Sequence, residues 1–98
     1  DKVQHLHWGE EIVLEYYKKI DEAISKLLDK SEKLLIVSDH GFCSFEDAPT
    51  RTLPEVTSNG VKLKGDHHPN AILITKNINE EINNLRDVYK ALKKEVGL

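Results

Sequence analysis

A single cysteine, Cys43, leaves this chain with no internal disulfide and none of the paired thiolates that close a structural zinc cage. The lone thiol agrees with a reducing compartment, which favours a cytoplasmic setting without fixing one. No apolar run comes near the roughly 20 residues that span a bilayer, so no membrane partner is expected. An excess of basic charge is also missing. The formal net charge is -3 and the sequence pI is ≈ 5.9, which gives no footprint for nucleic acid. There is no Gly-rich phosphate loop, no GxSxG elbow, no internal repeat and no low-complexity tract. The first residue is Asp1, not methionine. The 98 residues therefore read as one small domain or as a fragment of a longer polypeptide, and any targeting signal would lie upstream.

What the chain does contain is organised around Leu34-Leu35-Ile36-Val37-Ser38-Asp39-His40-Gly41-Phe42. An unbroken apolar run with two β-branched residues reads as a buried strand. It ends in an acid, an imidazole and a glycine. Ligands gather at the carboxyl ends of strands in open α/β sheets. Asp39 and His40 can both bind metal, and Gly41 suits a sharp turn straight after them.

Before that strand, residues 10–30 place Ile12, Val13, Tyr16, Tyr17, Ile20, Ile24, Leu27 and Leu28 at the spacing of one buried helical face. Glu10 and Glu11 at one end, and Lys26 and Lys30 at the other, suit the helix dipole. Helix, short connection and strand make half of a βαβ unit. Residues 1–9 are too short to show a period. Taken alone they read as a frayed terminus with chance histidines, although one helical turn would put Asp1 and His5 on a common face.

Residues 42–69 read as an irregular loop punctuated by Pro49, Pro54, Gly60 and Gly65, with Ser58-Asn59-Gly60 as a turn. Val61–Leu63 suits a short strand leading into Gly65-Asp66-His67-His68-Pro69. The paired histidines there suit either metal binding or a solvated loop. A second strand follows at Ala71–Thr75. Asn77-Ile78-Asn79-Glu80 has the form of a capping box, which predicts a helix from there to about Glu95.

The candidate ligands are then Asp1, His5, Asp39, His40 and His67 or His68. Carboxylates and imidazoles without thiols suit Zn, Mn or Fe at a catalytic site. Two clusters suggest two metals, an arrangement suited to in-line displacement at phosphorus.

Asp-x-x-x-His, a helix with Tyr16-Tyr17-Lys18-Lys19-Ile20-Asp21, a strand ending Ser-Asp-His-Gly, and Gly-x-His occur in that order. This order resembles the C-terminal part of the alkaline phosphatase superfamily, nearest to the type I phosphodiesterase / nucleotide pyrophosphatase branch. The resemblance covers nearly the whole chain, including the last helix with Asp87-Val88-Tyr89-Lys90-Ala91-Leu92. It implies an α/β class: a C-terminal fragment of a three-layer fold whose central strands are flanked by helices. It also implies two divalent ions, zinc with manganese as the alternative. Asp1, His5 and His67 would hold one, and Asp39 and His40 the other. His68 would be a neighbour and the secondary candidate.

The implied activity is hydrolysis of nucleotide-type phosphodiesters or phosphomonoesters through a covalent enzyme intermediate. The Thr or Ser nucleophile and one further aspartate would come from the missing N-terminal part of the same protein. Ser38, Ser44 and Thr50 do not match the nucleophile's position, so this chain alone should be inactive. Phe42 stands where the family often has methionine, and Ala71 where it often has glycine. The competing readings are a sulfatase or phosphoglycerate mutase branch of the superfamily, or a non-catalytic α/β assembly domain. In the last case, exposed strand edges would pair with another copy.

Overall fold

The computed structural model describes residues 1–98 as a mixed α/β chain. Its elements are α1 (Lys2–His7), α2 (Glu11–Lys30), β1 (Leu34–Val37), β2 (Gly41–Ser44), β3 (Gly65–His68), β4 (Leu73–Lys76) and α3 (Leu85–Glu95). Two short antiparallel sheets carry the strands. In one, β1 pairs with β4, with Leu34 opposite Lys76 and Val37 opposite Leu73. In the other, β2 pairs with β3, with Gly41 opposite His68 and Ser44 opposite Gly65.

The α/β class holds, as part of a larger alkaline-phosphatase-like fold would have it, but the βαβ expectation does not. β1 and β4 run antiparallel, and a loop-and-hairpin excursion rather than a crossover helix joins them. The stretch expected to be irregular contains β2 and β3. Neither Gly-Phe-Cys-Ser nor Gly-Asp-His-His has a strand pattern of its own, so their pairing is set by tertiary contacts. Val61–Leu63 contributes only one bridge, Val56 to Lys62. The turn before it forms as expected, with Gly60 at φ +80° and its amide donating to the Thr57 carbonyl at 2.9 Å.

The long helix occupies Glu11–Lys30, within a residue of its expected span. The last helix starts later than expected. Asn84 in extended backbone accepts the amides of Arg86 and Asp87 and opens α3 at Leu85. The box at Asn77 does not form. That residue has φ +54°, its amide side chain donates to the Glu32 carbonyl, and Glu80 pairs with Lys94 at 2.9 Å. Residues 1–9 are no frayed end. Residues 2–7 form α1, and the His5 carbonyl accepts the Lys64 amide at 2.8 Å.

The apolar face of α2 is mostly uncovered. Val13 is buried, but Ile20 and Leu27 are about half exposed, because two-stranded sheets offer too little surface to cover 20 residues. Only seven of 98 residues are buried, and His5 and Asp66 are among them. Both of those polar residues lie where α1 meets β3.

Candidate metal centre

α1 reaches β3 because Gly65 has no side chain. A Cβ there would stand 2.4 Å from the Gln4 carbonyl oxygen and 2.8 Å from the Trp8 Cβ. At that close approach the His5 Nδ1–H donates to the Gly65 carbonyl at 2.8 Å. A carbonyl only accepts, so the bond fixes the tautomer and leaves the His5 Nε2 lone pair bare.

That lone pair faces His67. The two Nε2 atoms are 3.2 Å apart, and His67 Nε2 is 3.2 Å from Asp1 Oδ1. His5 Nε2 is 3.8 Å from Asp1 Oδ2. Donors bound at about 2.0–2.1 Å around a tetrahedron sit about 3.3 Å from one another. Asp1, His5 and His67 thus form a three-donor group with the edge lengths of a metal site. Burial first, and then the His40 and His5 imidazoles, push His67 below the ordinary histidine range. Its ring stays neutral near pH 7, as a metal ligand must.

Asp39 and His40 adjoin this group. His40 Nε2 is 3.5 Å from Asp39 Oδ1 and 3.8 Å from Asp1 Oδ1. The His40 ring stacks on His67 with centroids 3.5 Å apart. Its Nδ1–H donates to the Gly41 carbonyl at 3.0 Å, so its Nε2 is also bare. Asp1 Oδ1 therefore lies between the two sets of donors.

Gly41 has a different role from the one expected. It is not among the positive-φ glycines, and the turn does not need its freedom. A Cβ at Gly41 would stand 2.1 Å from the Asn70 carbonyl oxygen, so close approach is what requires it. His68 points away from the three donors, since neighbours on a strand alternate sides. The Asn70 amide donates to its Nδ1 at 3.0 Å. His7 contacts Glu10 at 3.0 Å and takes no part in the cluster. Burial, then Asp47 and Asp66, push the Cys43 thiol up, which keeps it protonated.

Asp66 and Thr52 have roles that the sequence did not announce. The Asp66 carboxylate is fully buried. It accepts the Thr52 amide at 2.9 Å, the Thr52 hydroxyl, and the His67 amide at 2.7 Å. An acid placed immediately before a candidate ligand was the one available signal. Thr52, fourteen residues away, carried none. Asp66→Asn replaces an acceptor oxygen with an NH2 donor facing other donors and should cost about 1–3 kcal/mol in urea unfolding.

Burial raises the Asp66 pKa, but the Thr52 and His67 hydrogen bonds outweigh it, and the folded value lies below the usual carboxylate range. Its stabilising contribution is then complete above about pH 4, where the unfolded group ionises, and fades as pH falls through the folded value. Below pH 4 the wild-type protein should lose stability more steeply than Asp66→Asn. Equal slopes would contradict this.

No curated protein and no solved structure matches the chain. A family of phosphoester hydrolases does match it, over residues 1–97. With that match spanning every element of the centre, the chain belongs to the type I phosphodiesterase / nucleotide pyrophosphatase family.

Proposed function

We propose that this chain supplies most of the metal ligands of a two-metal centre that hydrolyses nucleotide-type phosphodiesters or phosphomonoesters. The observation that carries the reading is the meeting of Asp1, His5 and His67, with the tautomer of His5 fixed so that a lone pair faces the shared point. In this reading one zinc or manganese ion takes those three residues, and a second takes Asp39 and His40. Bound there, the ions would supply Lewis acidity toward a phosphoryl group.

The chain's own residues then have separable tasks. Asp1 joins the two sets of donors through Oδ1. The Gly65 and Gly41 carbonyls aim His5 and His40. Asp66 and Thr52 hold the backbone at His67. An open cleft of about 530 Å³ beside Asp1, Asp39 and His40 leaves room for the ester.

The nucleophile and a further carboxylate come from a part of the protein outside this chain. Three of this chain's hydroxyl side chains are tied into the fold by hydrogen bonds. Ser38 Oγ accepts the Ile72 amide at 2.9 Å, Ser44 donates to Asp47 at 2.7 Å, and Thr52 donates to Asp66. Family membership favours this branch over a sulfatase or a phosphoglycerate mutase.

A chromogenic phosphodiester and the matching monoester test the proposal in the full-length protein. Hydrolysis should require a divalent ion, fall by about three orders of magnitude or more on chelation, and return with zinc or manganese. The uncovered faces of α2 and α3 favour one other reading, an assembly domain, with Ile20 54% and Tyr89 65% exposed. Two equivalents of bound metal with no hydrolysis of either ester would support that reading instead.

A further inference from the structure

Ligand histidines are usually aimed by a hydrogen bond at the ring nitrogen that faces away from the metal. His5 and His40 have that anchor, each donating from Nδ1 to a backbone carbonyl. His67 does not. Its ring hydrogen-bond contacts both run through Nε2, to His5 and to Asp1. Asp66 accepts its main-chain amide, which fixes the strand but leaves the plane of the ring open.

Aromatic packing sets that plane instead. The His40 ring stacks on His67, with centroids 3.5 Å apart and planes 17° from parallel. Phe42 meets His67 edge to face, at 5.0 Å and 75°. Phe42 lies directly opposite His67 in the β2–β3 pairing, so both side chains leave the ribbon on the same face. It also meets His5 edge to face, at 4.9 Å and 75°, and lies 5.4 Å from His40. No other ring touches all three imidazoles.

Phe42 is itself held from behind. Trp8 stacks on it with centroids 6.2 Å apart and planes 24° from parallel, within the range that aromatic pairs prefer. Trp8 closes α1 and packs against Gly65 of β3. Phe42 is only half-buried, and it is not one of the buried apolar side chains Val13, Phe45, Leu63 and Ala91. Its contacts serve the histidines more than the core.

We propose that Phe42 is a positioning residue of the metal centre: its ring, backed by Trp8, sets the plane of the unanchored His67 imidazole so that Nε2 meets Asp1 and His5. The inference rests on reading Asp1, His5 and His67 as ligands of one ion. Phe42 acts through the imidazoles and holds no ion itself.

Three variants of the full-length protein separate aim from stability. Phe42→Leu keeps an apolar side chain that ends short of the imidazoles. Phe42→Met keeps the reach, and its thioether packs well against ring edges. Phe45→Leu is the control, since Phe45 is 3% exposed and its ring lies under Arg51 rather than against a histidine. Zinc affinity, read by competition with a chelator, should fall about tenfold or more in Phe42→Leu. It should stay within about threefold of wild type in Phe42→Met and Phe45→Leu. Phe45→Leu should still lower the urea midpoint more than Phe42→Leu, because it opens a cavity in the buried core.

A readout independent of metal is the proton NMR spectrum of the zinc-free protein. In wild type, nuclear Overhauser contacts should join the Phe42 ring to those of His5, His40 and His67. In Phe42→Leu the His67 ring should lose its contact with His5, while His5 stays on Gly65. Unchanged zinc affinity in Phe42→Leu, or the same loss in Phe42→Met or Phe45→Leu, overturns the role of Phe42 alone. So does a wild-type spectrum without the Phe42–His67 contact. Wild-type protein that binds no zinc overturns the reading of the centre, and the role of Phe42 with it.

Discussion

His67→Ala should lower phosphodiester hydrolysis by the full-length protein by about a thousandfold or more, and remove one equivalent of bound zinc. The size follows from what the residue touches. His67 Nε2 is within 3.2 Å of both His5 Nε2 and Asp1 Oδ1, so the three-donor group loses its central member. Catalytic zinc sites hold the ion with three protein ligands, so a group cut to two should bind it far more weakly. Charge stabilisation by a metal is worth several kcal/mol, and each 1.36 kcal/mol is tenfold in rate. The same substitution strips the ring stacked on His40, so the second set of donors loosens as well. Zinc titration read beside the rate separates the two effects. A variant with full zinc content and near wild-type rate would remove His67 from the centre.

The second large effect is expected at a residue that carries no functional group. Gly65→Ala should destabilise the protein by about 1–3 kcal/mol and weaken zinc binding at the Asp1–His5–His67 group by about 10–100-fold. The added carbon meets backbone, the Gln4 carbonyl at 2.4 Å, and not the yielding end of a long side chain. α1 must then back away from β3. It carries Asp1 and His5 with it and breaks the bond that sets the His5 tautomer. Gly60→Ala is the matched control. Nothing lies within 4 Å of that position, so only its left-handed backbone is strained, at about 1–2 kcal/mol, and zinc affinity should not move. Equal zinc affinities in the two variants would mean that the α1–β3 approach does not position the ligands.

Asp39 and His40 stand out in the sequence because they close an apolar run, at the strand end where open α/β sheets gather ligands. His5 and His67 could be picked out only through the order of short motifs, since each alone has a commoner explanation. Their convergence depends on contacts between residues 60 apart, His5 and Gly65, which no local pattern encodes. The long helix was legible because twenty residues give a period room to show. The β2–β3 pairing was not, since β3 is glycine, aspartate and two histidines, and β2 sets only Phe42 and Cys43 between a glycine and a serine. α3 starts later than its sequence predicts for a physical reason: two asparagines could each cap a helix. Asn84 adopts the extended backbone that capping needs, and Asn77 has the left-handed one that prevents it. The role of Asp66 is not legible locally, because an acid beside two histidines reads as a ligand or as solvated, and its three hydrogen bonds emerge only when the hairpin closes over Thr52.

Anomalous diffraction at the zinc edge, from crystals of the full-length protein soaked in zinc, tests the centre most directly. The expected result is a peak about 2.0–2.1 Å from His5 Nε2, His67 Nε2 and an Asp1 carboxylate oxygen together. A zinc peak elsewhere, with His5 and His67 joined only to each other, would contradict it.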